Sequence, residues 1–526
     1  MTALNTWVSN LSQIKKYLLA FILGALIAAA LPPLNLVFLL PVSFTGLLWI
    51  LSTATTRRQA FLAGWWFGWG QFIAGLYWIG VAFTVDAKTH ALLMPLPVLV
   101  LPAILAIFSG CATLVTHMSG ARSLARVFIL SAAWIAFEYV RGVIFTGFAW
   151  NTIGYSWSGI LPVLQTTAFM GVYGLTLLTV FLSSLPALFG EAETSRRTAS
   201  LSLAITAGLF AIFYGIGIAR IPATAVKTFE NATLRIVQPN IPQKDKWKHN
   251  LLLEHLRKIV ALSLTDDGTS LPRYFIWPET AVPYYLTTTK PLQKELAQII
   301  PPGGAIATGA PRRDPVVRQY WNSLQVLGET GEILDIYDKQ HLVPYGEYMP
   351  LRSLMAATGL SEIIPALDQM SDFATPDSSA KKVINIPGLP PARALICYEI
   401  VFPWEVDPDT PFSWILNITN DGWFGTTSGP YQHFAMTRTR AVEQGVAVVR
   451  AANTGISAII DPYGRVPEEL ALNETGFIDG DLPLPIPERT LYAHYGEAIP
   501  VALVIAFTGI GIGLRRRPSK NARLSS

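Results

Sequence analysis

Apolar and polar positions follow two regimes along this chain. Up to about residue 220, long apolar runs are separated by short polar loops. They predict membrane-crossing helices near 17–32, 35–53, 59–84, 91–117, 124–145, 161–189 and 200–219, each close to or beyond the ~20 residues a bilayer requires. The first two are short, and Pro32-Pro33 sits between them, so a single kinked helix is the competing pattern. The N-terminal run before Ala28-Ala29-Ala30 also has the shape of a signal peptide, but further apolar runs follow at once, which favours an uncleaved first span. A last long apolar run covers Ile499–Leu514.

From Ala232 the runs shorten. Thr233–Val237, Tyr274–Trp277, Ala305–Ala310, Ala392–Ile396 and Ser413–Ile418 read as buried strands. Ser323–Asp338 reads as a hairpin turning at Glu329-Thr330-Gly331, and Gly455–Ile460 and Arg465–Glu469 flank a turn at Asp461-Pro462-Tyr463-Gly464. Asn250–Leu264, Lys290–Ile300 and Tyr431–Arg450 have helical spacing. Strands alternating with helices indicate an α/β layered domain. Roughly 260 residues suffice to bury its core without disulfides.

Charge settles the membrane count. Lys15-Lys16, Arg57-Arg58, Arg122 with Arg126, and Arg196-Arg197 mark alternate loops, whereas the loop with Asp86, Lys88 and His90 and the segment from Phe145 to Leu161 hold little positive charge. Basic loops lie on the cytoplasmic side. Lys15-Lys16 and Arg57-Arg58 share that side only if two spans separate them. Seven spans then leave the chain outside at about Arg220, and an eighth returns it to Arg515-Arg516-Arg517. The expected organisation is a seven-span membrane domain over 1–222, an outer α/β domain over 228–487, and a transmembrane helix with a cytoplasmic tail over 488–526.

Composition agrees: 51% of residues are hydrophobic and 14% charged, against about 25% charged in an average soluble domain. A net charge of +4 is too small to argue for nucleic acid. Glu138 and Arg141 stand within one span at helical i, i+3 spacing, either as a plain ion pair or as a lipid-headgroup contact. The run Trp65-Trp66-Phe67-Gly68-Trp69, with Tyr77-Trp78, suits packing and interfacial anchoring. The seven histidines are scattered, so neither a metal nor another cofactor is expected.

Cys111 and Cys397 are the only cysteines, and Cys111 lies in an apolar run, so a disulfide is not expected. Cys397 stands at the end of the Ala392–Ile396 run, where α/β proteins display nucleophiles. A small buried hydrophobe is the competing reading. Glu279 and Lys339 also stand just past strands, and strand ends on one rim of a sheet are where such domains gather their sites. Singly, Glu279 also suits a helix start and Lys339 a solvated hairpin end. Together the three suit acyl transfer: the carboxylate takes the thiol proton, and the ammonium stabilises thiolate and oxyanion. The apolar, irregular segment 344–369 reads either as a core helix or as a lipid-facing lid.

These residues carry a resemblance. Trp277-Pro278-Glu279-Thr280, Tyr337-Asp338-Lys339-Gln340-His341-Leu342-Val343-Pro344-Tyr345-Gly346-Glu347-Tyr348 and Ile396-Cys397-Tyr398-Glu399 resemble the Glu-Lys-Cys blocks of the nitrilase, or carbon–nitrogen hydrolase, superfamily. Asn417-Ile418-Thr419-Asn420-Asp421-Gly422-Trp423-Phe424-Gly425, Arg450-Ala451-Ala452-Asn453-Thr454-Gly455-Ile456-Ser457, and Gln238-Pro239-Asn240-Ile241 with Lys246-Trp247 extend it. With the membrane frame, the resemblance narrows to the apolipoprotein N-acyltransferase family and covers nearly the whole chain.

The resemblance implies a four-layer αββα domain on the periplasmic face of a bacterial inner membrane, with both termini cytoplasmic. It implies a ping-pong reaction. A fatty acyl chain passes from a phospholipid, typically phosphatidylethanolamine, to the cysteine as a thioester, and then to the α-amino group of the N-terminal diacylglyceryl-cysteine of an apolipoprotein. It assigns Glu279 as general base, Lys339 as oxyanion stabiliser and Cys397 as nucleophile. Glu347 resembles the family's second active-site glutamate. Tyr398, Glu399, Asn322, Trp247, Arg352, Asn420 and Trp423 match positions tied to substrate handling or site geometry. Two other functions compete: a membrane-tethered amidase that hydrolyses a C–N bond, and a transporter or lipid-binding scaffold with an inert outer domain. The amidase offers no reason for eight spans, and the shortage of intramembrane charge argues against an ion-coupled transporter.

Overall fold

The computed structural model describes all residues except 1–2, 86–93, 192–193, 267, 269–270, 315, 317, 351, 353–371, 378, 407–409 and 516–526. The chain forms two compact units. One comprises Met1–Gly80, Pro95–Ile221 and Thr490–Ser526, the other Val81–Met94 and Pro222–Arg489.

The first unit is helical. Among the described residues, six helices are long and apolar enough to cross a membrane: Gln13–Ala30, Leu96–Met118, Ser123–Val143, Thr167–Gly190, Arg196–Arg220 and Ala498–Arg515. Two of the eight expected spans fall outside that set. The chain leaves its helix at Ala30 and re-enters one at Leu39, so Pro32-Pro33 separates two helices. Leu39–Ser52 has only 14 residues, about 21 Å of helix against a hydrocarbon core of about 30 Å. Arg57–Leu76 is long enough at 20 residues, but Arg57-Arg58, Gln59, Gln71 and its glycines dilute its apolar character. Helix Ala3–Asn10 was not foreseen, and the expected span 59–84 is divided into Arg57–Leu76 and the short helix Ile79–Ala82.

Glu138 and Arg141 are both enclosed in this unit and pair at 3.4 Å. Arg141 also donates to the carbonyls of Phe148 and Trp150, at 2.9 and 2.6 Å, and the Ile153 N–H donates to Glu138 at 3.3 Å. The pair therefore braces the irregular 148–153 segment. Buried charge is tolerated where its polar atoms find partners.

The second unit is built on two six-stranded sheets. The first takes the order β12-β1-β2-β3-β4-β5, from Gly476–Pro483, Thr228–Gln238, Tyr274–Ile276, Ala305–Arg313, Tyr320–Gly328 and Ile333–Asp338. The second takes the order β11-β10-β9-β8-β7-β6, from Glu468–Leu470, Ser457–Ile460, Ala447–Ala452, Trp414–Thr419, Ala392–Ile396 and Val383–Ile384. In each sheet three adjacent strands run parallel, β1-β2-β3 and β9-β8-β7, and the outer strands pair antiparallel.

The period of two in the strands explains the packing. Leu234 and Ile236, Tyr274 and Ile276, and Ala305 and Ala307 turn inward from one sheet. Ala392, Ala394 and Ile396, Trp414, Leu416 and Ile418, and Ala447, Val449 and Ala451 meet them from the other in one core. Each fully buried large aliphatic side chain there contributes about 1.5–3 kcal/mol. Alternate residues of the first sheet, Val237, Phe275 and Ile306, face outward with Trp277 onto Leu256 and Ile259 of helix Leu252–Ser263 and onto Leu296. Helix Ser428–Gln444 joins β9 of the second sheet, where Arg450 donates to the Thr437 hydroxyl at 3.1 Å.

The helix expected over Tyr431–Arg450 ends earlier. It stops at Gln444, Gly445 takes a left-handed conformation at φ 67°, and Ala447–Ala452 is strand β9. A glycine just past a helix is the usual stop, but the following apolar residues continued the helical spacing. The edge strand β6 and the strand β12 were also not foreseen, because only their pairing with β7 and β1 makes them strands.

Candidate active site

Three irregular turns carry the predicted chemistry. The chain past β2 runs through Trp277-Pro278-Glu279 and bends at Thr280, whose φ is 47°. It lies directly over β3: a Cβ on Gly309 would come within 2.4 Å of the Thr280 nitrogen and 2.7 Å of the Glu279 Cα. Only a glycine permits that approach. Lys339 follows β5, its N–H bonded to the Asn322 carbonyl at 2.8 Å. Cys397 follows β7 and opens the 3-10 turn Cys397–Val401 at a φ of 52°. A non-glycine residue in that region stores strain, and such residues gather at functional sites.

The turns converge on a buried polar cluster. Lys339 Nζ lies 3.7 Å from Glu279 Oε1 and 2.9 Å from Glu347 Oε2. Asn322 Nδ2 donates to Glu279 Oε1 at 2.7 Å and to Glu347 Oε1 at 2.9 Å, so one amide holds both carboxylates. The Val343 N–H fixes Glu347 Oε2 at 2.8 Å. Burial works against the Lys339 ammonium, yet Glu347 and then Glu279 outweigh it and hold its pKa well above the usual lysine range. Burial and the Glu279 charge push the Cys397 thiol up to about 12, opposed by Lys339 and by a hydrogen bond with Thr419. At rest Cys397 is therefore a thiol, and its ionisation requires a base.

Glu399 is fully buried and holds the cluster together. Its Oε1 accepts from the Tyr337 hydroxyl at 2.8 Å and from the N–H groups of Gln340 and His341 at 2.7 and 3.1 Å. Its Oε2 accepts from the Ile396 N–H at 2.6 Å. The carboxylate thus joins the segment bearing Lys339 to the turn bearing Cys397. Tyr398 is buried, its ring edge-on to His341 and Phe402.

Behind the nucleophile lies a layer that the sequence did not disclose. Asp421 Oδ2 accepts from Arg450 at 2.7 Å, and its Oδ1 lies 2.9 Å from His433 Nδ1. His433 Nε2 reaches the Cys397 carbonyl at 3.1 Å. The Cys397 carbonyl and the Asp421 carboxylate both only accept, so each ring nitrogen faces an acceptor, and Arg450 Nη2 also lies 3.1 Å from Nδ1. Burial, then Arg450, lower the His433 pKa, opposed by Asp421 and by the bond to the Cys397 carbonyl. Burial opposes the Asp421 anion, but Arg450 and His433 prevail and hold it down to about 2. Asn420 belongs to an adjoining chain of amides, donating to Gln243 at 2.7 Å and accepting from Asn453 at 3.0 Å. A charged residue inside the apolar run of β9, Arg450, was the one signal available in advance.

Three predicted residues lie outside the cluster. Trp247 and Trp423 are half-exposed at 51% and 42%, so their rings present apolar surface to the surroundings. Arg352 pairs with Asp372 at 2.8 and 3.0 Å on a partly exposed surface. Most of the segment 344–369, including Leu354, Met355 and Leu360, lies outside the described residues. No group of three or more His, Cys, Asp or Glu with metal-binding geometry occurs among the described residues.

Comparison with known proteins adds lineage to this geometry. Residues 23–185 match the apolipoprotein N-acyltransferase N-terminal domain, and residues 233–486 match carbon-nitrogen hydrolase. The chain is 37% identical over 523 residues to the apolipoprotein N-acyltransferase of Rhodopseudomonas palustris, covering 96% of each chain. It is 39% identical over 530 residues to that of Bradyrhizobium diazoefficiens, again covering 96% of each. Saccharomyces cerevisiae Nit3, a nitrilase-superfamily member of solved structure, aligns over 52% of this chain and 98% of its own at 16% identity and a TM-score of 0.34. Two domain matches in order, and relatives at 37–39% identity across almost the full length, establish that the chain belongs to the apolipoprotein N-acyltransferase family.

Proposed function

We propose that this protein transfers a fatty acyl chain from a membrane phospholipid, phosphatidylethanolamine being the expected donor, to the α-amino group of the diacylglyceryl-cysteine at an apolipoprotein N-terminus. One observation carries the proposal: Cys397 is displayed on a left-handed turn at a strand end, within the electrostatic reach of Glu279 and Lys339. Glu279 takes the thiol proton as sulfur attacks the ester carbonyl, and Lys339 stabilises the oxyanion. The ester C–O bond then breaks, the departing lysophospholipid oxygen takes the proton from Glu279, and a thioester remains on Cys397. The acceptor amine attacks that thioester, Glu279 takes its proton, the C–S bond breaks and the thiol is restored.

Glu347 and Asn322 hold Glu279 and Lys339 in register, and Glu399 with Tyr398 sets the turn at Cys397. Asn420 supports that wall from its amide chain. Trp247, Trp423 and Arg352 serve substrate handling, the two tryptophans offering apolar surface to acyl chains. The helical parts over 1–222 and 488–526 anchor the enzyme in a bacterial inner membrane. The domain over 228–487 works on the periplasmic face, and both termini are cytoplasmic. Water is the rival acceptor, and a water-poor site at the lipid surface favours transfer over hydrolysis.

The test is direct. The purified protein is incubated with phospholipid labelled in its acyl chain, and Cys397 peptides are analysed by mass spectrometry, with Cys397→Ser as control. An acyl thioester that persists in water and is discharged by a diacylglyceryl-cysteine peptide is expected. Absence of the adduct, or its equal discharge by water, would overturn the proposal.

A further inference from the structure

The cluster around Cys397 contains a second buried ammonium. Lys246 is 4% exposed, and its Nζ donates to the backbone carbonyl of Glu279 at 3.0 Å. That carbonyl is its hydrogen-bond acceptor among the described residues, and no carboxylate lies within ion-pair distance of it there. Burying an ammonium is unfavourable, so a chain keeps one where a negative charge is present or will develop.

The charge count shows where that is. Lys339 is the cation expected to stabilise the thiolate and oxyanion, but both oxygens of Glu347 lie 2.9 Å from it. Glu279 and Glu347 supply two negative charges and Lys339 one positive. Proton transfer from Cys397 to Glu279 exchanges one anion for another and leaves that imbalance in place. Lys246 supplies a further positive charge, its Nζ 3.0 Å from the Glu279 carbonyl oxygen, and Glu279 and Cys397 both favour its charged form.

We infer that Lys246 is the second cation of the site, balancing the charge that develops on Cys397 sulfur, while Lys339 remains engaged with Glu347. The inference rests on Cys397 being the nucleophile. It assigns Lys246 an electrostatic part distinct from that of its hydrogen bond to the Glu279 carbonyl. Burial pushes the Lys246 pKa down to about 8, opposed by Glu279 and Cys397, so the cation is largely present at neutral pH.

Two variants separate charge from contact. Lys246→Gln keeps a donor for the Glu279 carbonyl and removes the charge, whereas Lys246→Arg keeps the charge. Intact protein in detergent is treated with iodoacetamide across a pH range, and modification is followed on the Cys397 peptide by mass spectrometry, which excludes Cys111. Thermal melts confirm that each variant is folded. In Lys246→Gln alkylation is expected to be about tenfold slower near neutrality, the gap closing as pH rises through about 8, where the parent's Lys246 loses its charge. Lys246→Arg should stay within about threefold of the parent. A folded Lys246→Gln form that alkylates like the parent would overturn the inference. So would equal slowing in both variants at every pH, because the contact alone would then explain Lys246. Iodoacetamide requires no lipid, so a Cys397 that alkylates normally in the parent but forms no thioester refutes the proposed donor chemistry and leaves the Lys246 test intact.

Discussion

The Tyr337 hydroxyl donates to Glu399 at 2.8 Å, linking the last turn of β5 to the turn that opens at Cys397. The two segments belong to different sheets, and the same carboxylate accepts three backbone N–H groups. Glu399→Gln turns an amide N–H toward at least one of those donors. The expected result is a loss of about 1–3 kcal/mol in stability, with slower thioester formation. Tyr337→Phe removes one bond and should cost about 1 kcal/mol. Thermal melts beside acylation rates check both. An unchanged Glu399→Gln protein would show that the link is dispensable.

Asn322 is the only side-chain amide bonded to both Glu279 and Glu347 among the described residues. Asn322→Asp replaces that double donor with a third carboxylate. Acylation at neutral pH should fall by at least about a hundredfold. It should recover in part as the pH is lowered, because a protonated carboxyl donates again. A pH profile of thioester formation distinguishes this from simple misfolding, which acid would not relieve.

Cys397 at rest is a thiol, with its pKa pushed up to about 12 by burial and by Glu279. Its reactivity should therefore depend on proton removal by Glu279. Glu279→Gln should slow acylation by about 10²–10⁴-fold at neutral pH, even though loss of its charge lets the thiol pKa fall. Should the variant acylate as fast as the parent, Glu279 is not the base.

The Asp421 carboxylate is held down to about 2 in the folded chain, against about 3.9 when unfolded. The sign follows from proton uptake: the unfolded state binds the proton first, so the stabilisation is full above the unfolded value and is lost as pH falls through about 2. Its size is on the order of 2 kcal/mol. Asp421→Asn should be less stable than the parent at neutral pH by about 3 kcal/mol, having left Arg450 unpaired. The gap should narrow between those two pH values. Denaturation midpoints measured against pH for both proteins test the expectation.

The sequence pointed to Glu279, Lys339 and Cys397 because each follows an apolar run, and burial on both faces makes the runs before Glu279 and Cys397 conspicuous. It placed Glu399 among the supporting residues but left its role open, because its partners Tyr337, Gln340 and His341 arrive from a distant segment. The helix drawn through to Arg450 failed for a local reason: Val446–Val449 is apolar enough to continue either a helix or a strand. The left-handed Gly445 decides between them. Asp421, His433 and Arg450 were invisible as a set, since only the packing of one helix onto one sheet unites them. In the membrane unit, apolar runs revealed where helices lie but not their usable length, which Leu39–Ser52 falls short of.

Glu279 and Lys339 hang from one sheet and Cys397 from the other, so the reactive centre exists only where the two sheets interlock. Close-packed interiors transmit small shifts rather than absorb them. A volume change at Leu416 or Ala307, in the apolar core the two sheets share, would slide one half of the machinery past the other. The thiol's reactivity is thus a gauge of how well the sandwich is seated, and it should register damage to the core that leaves the chain still folded.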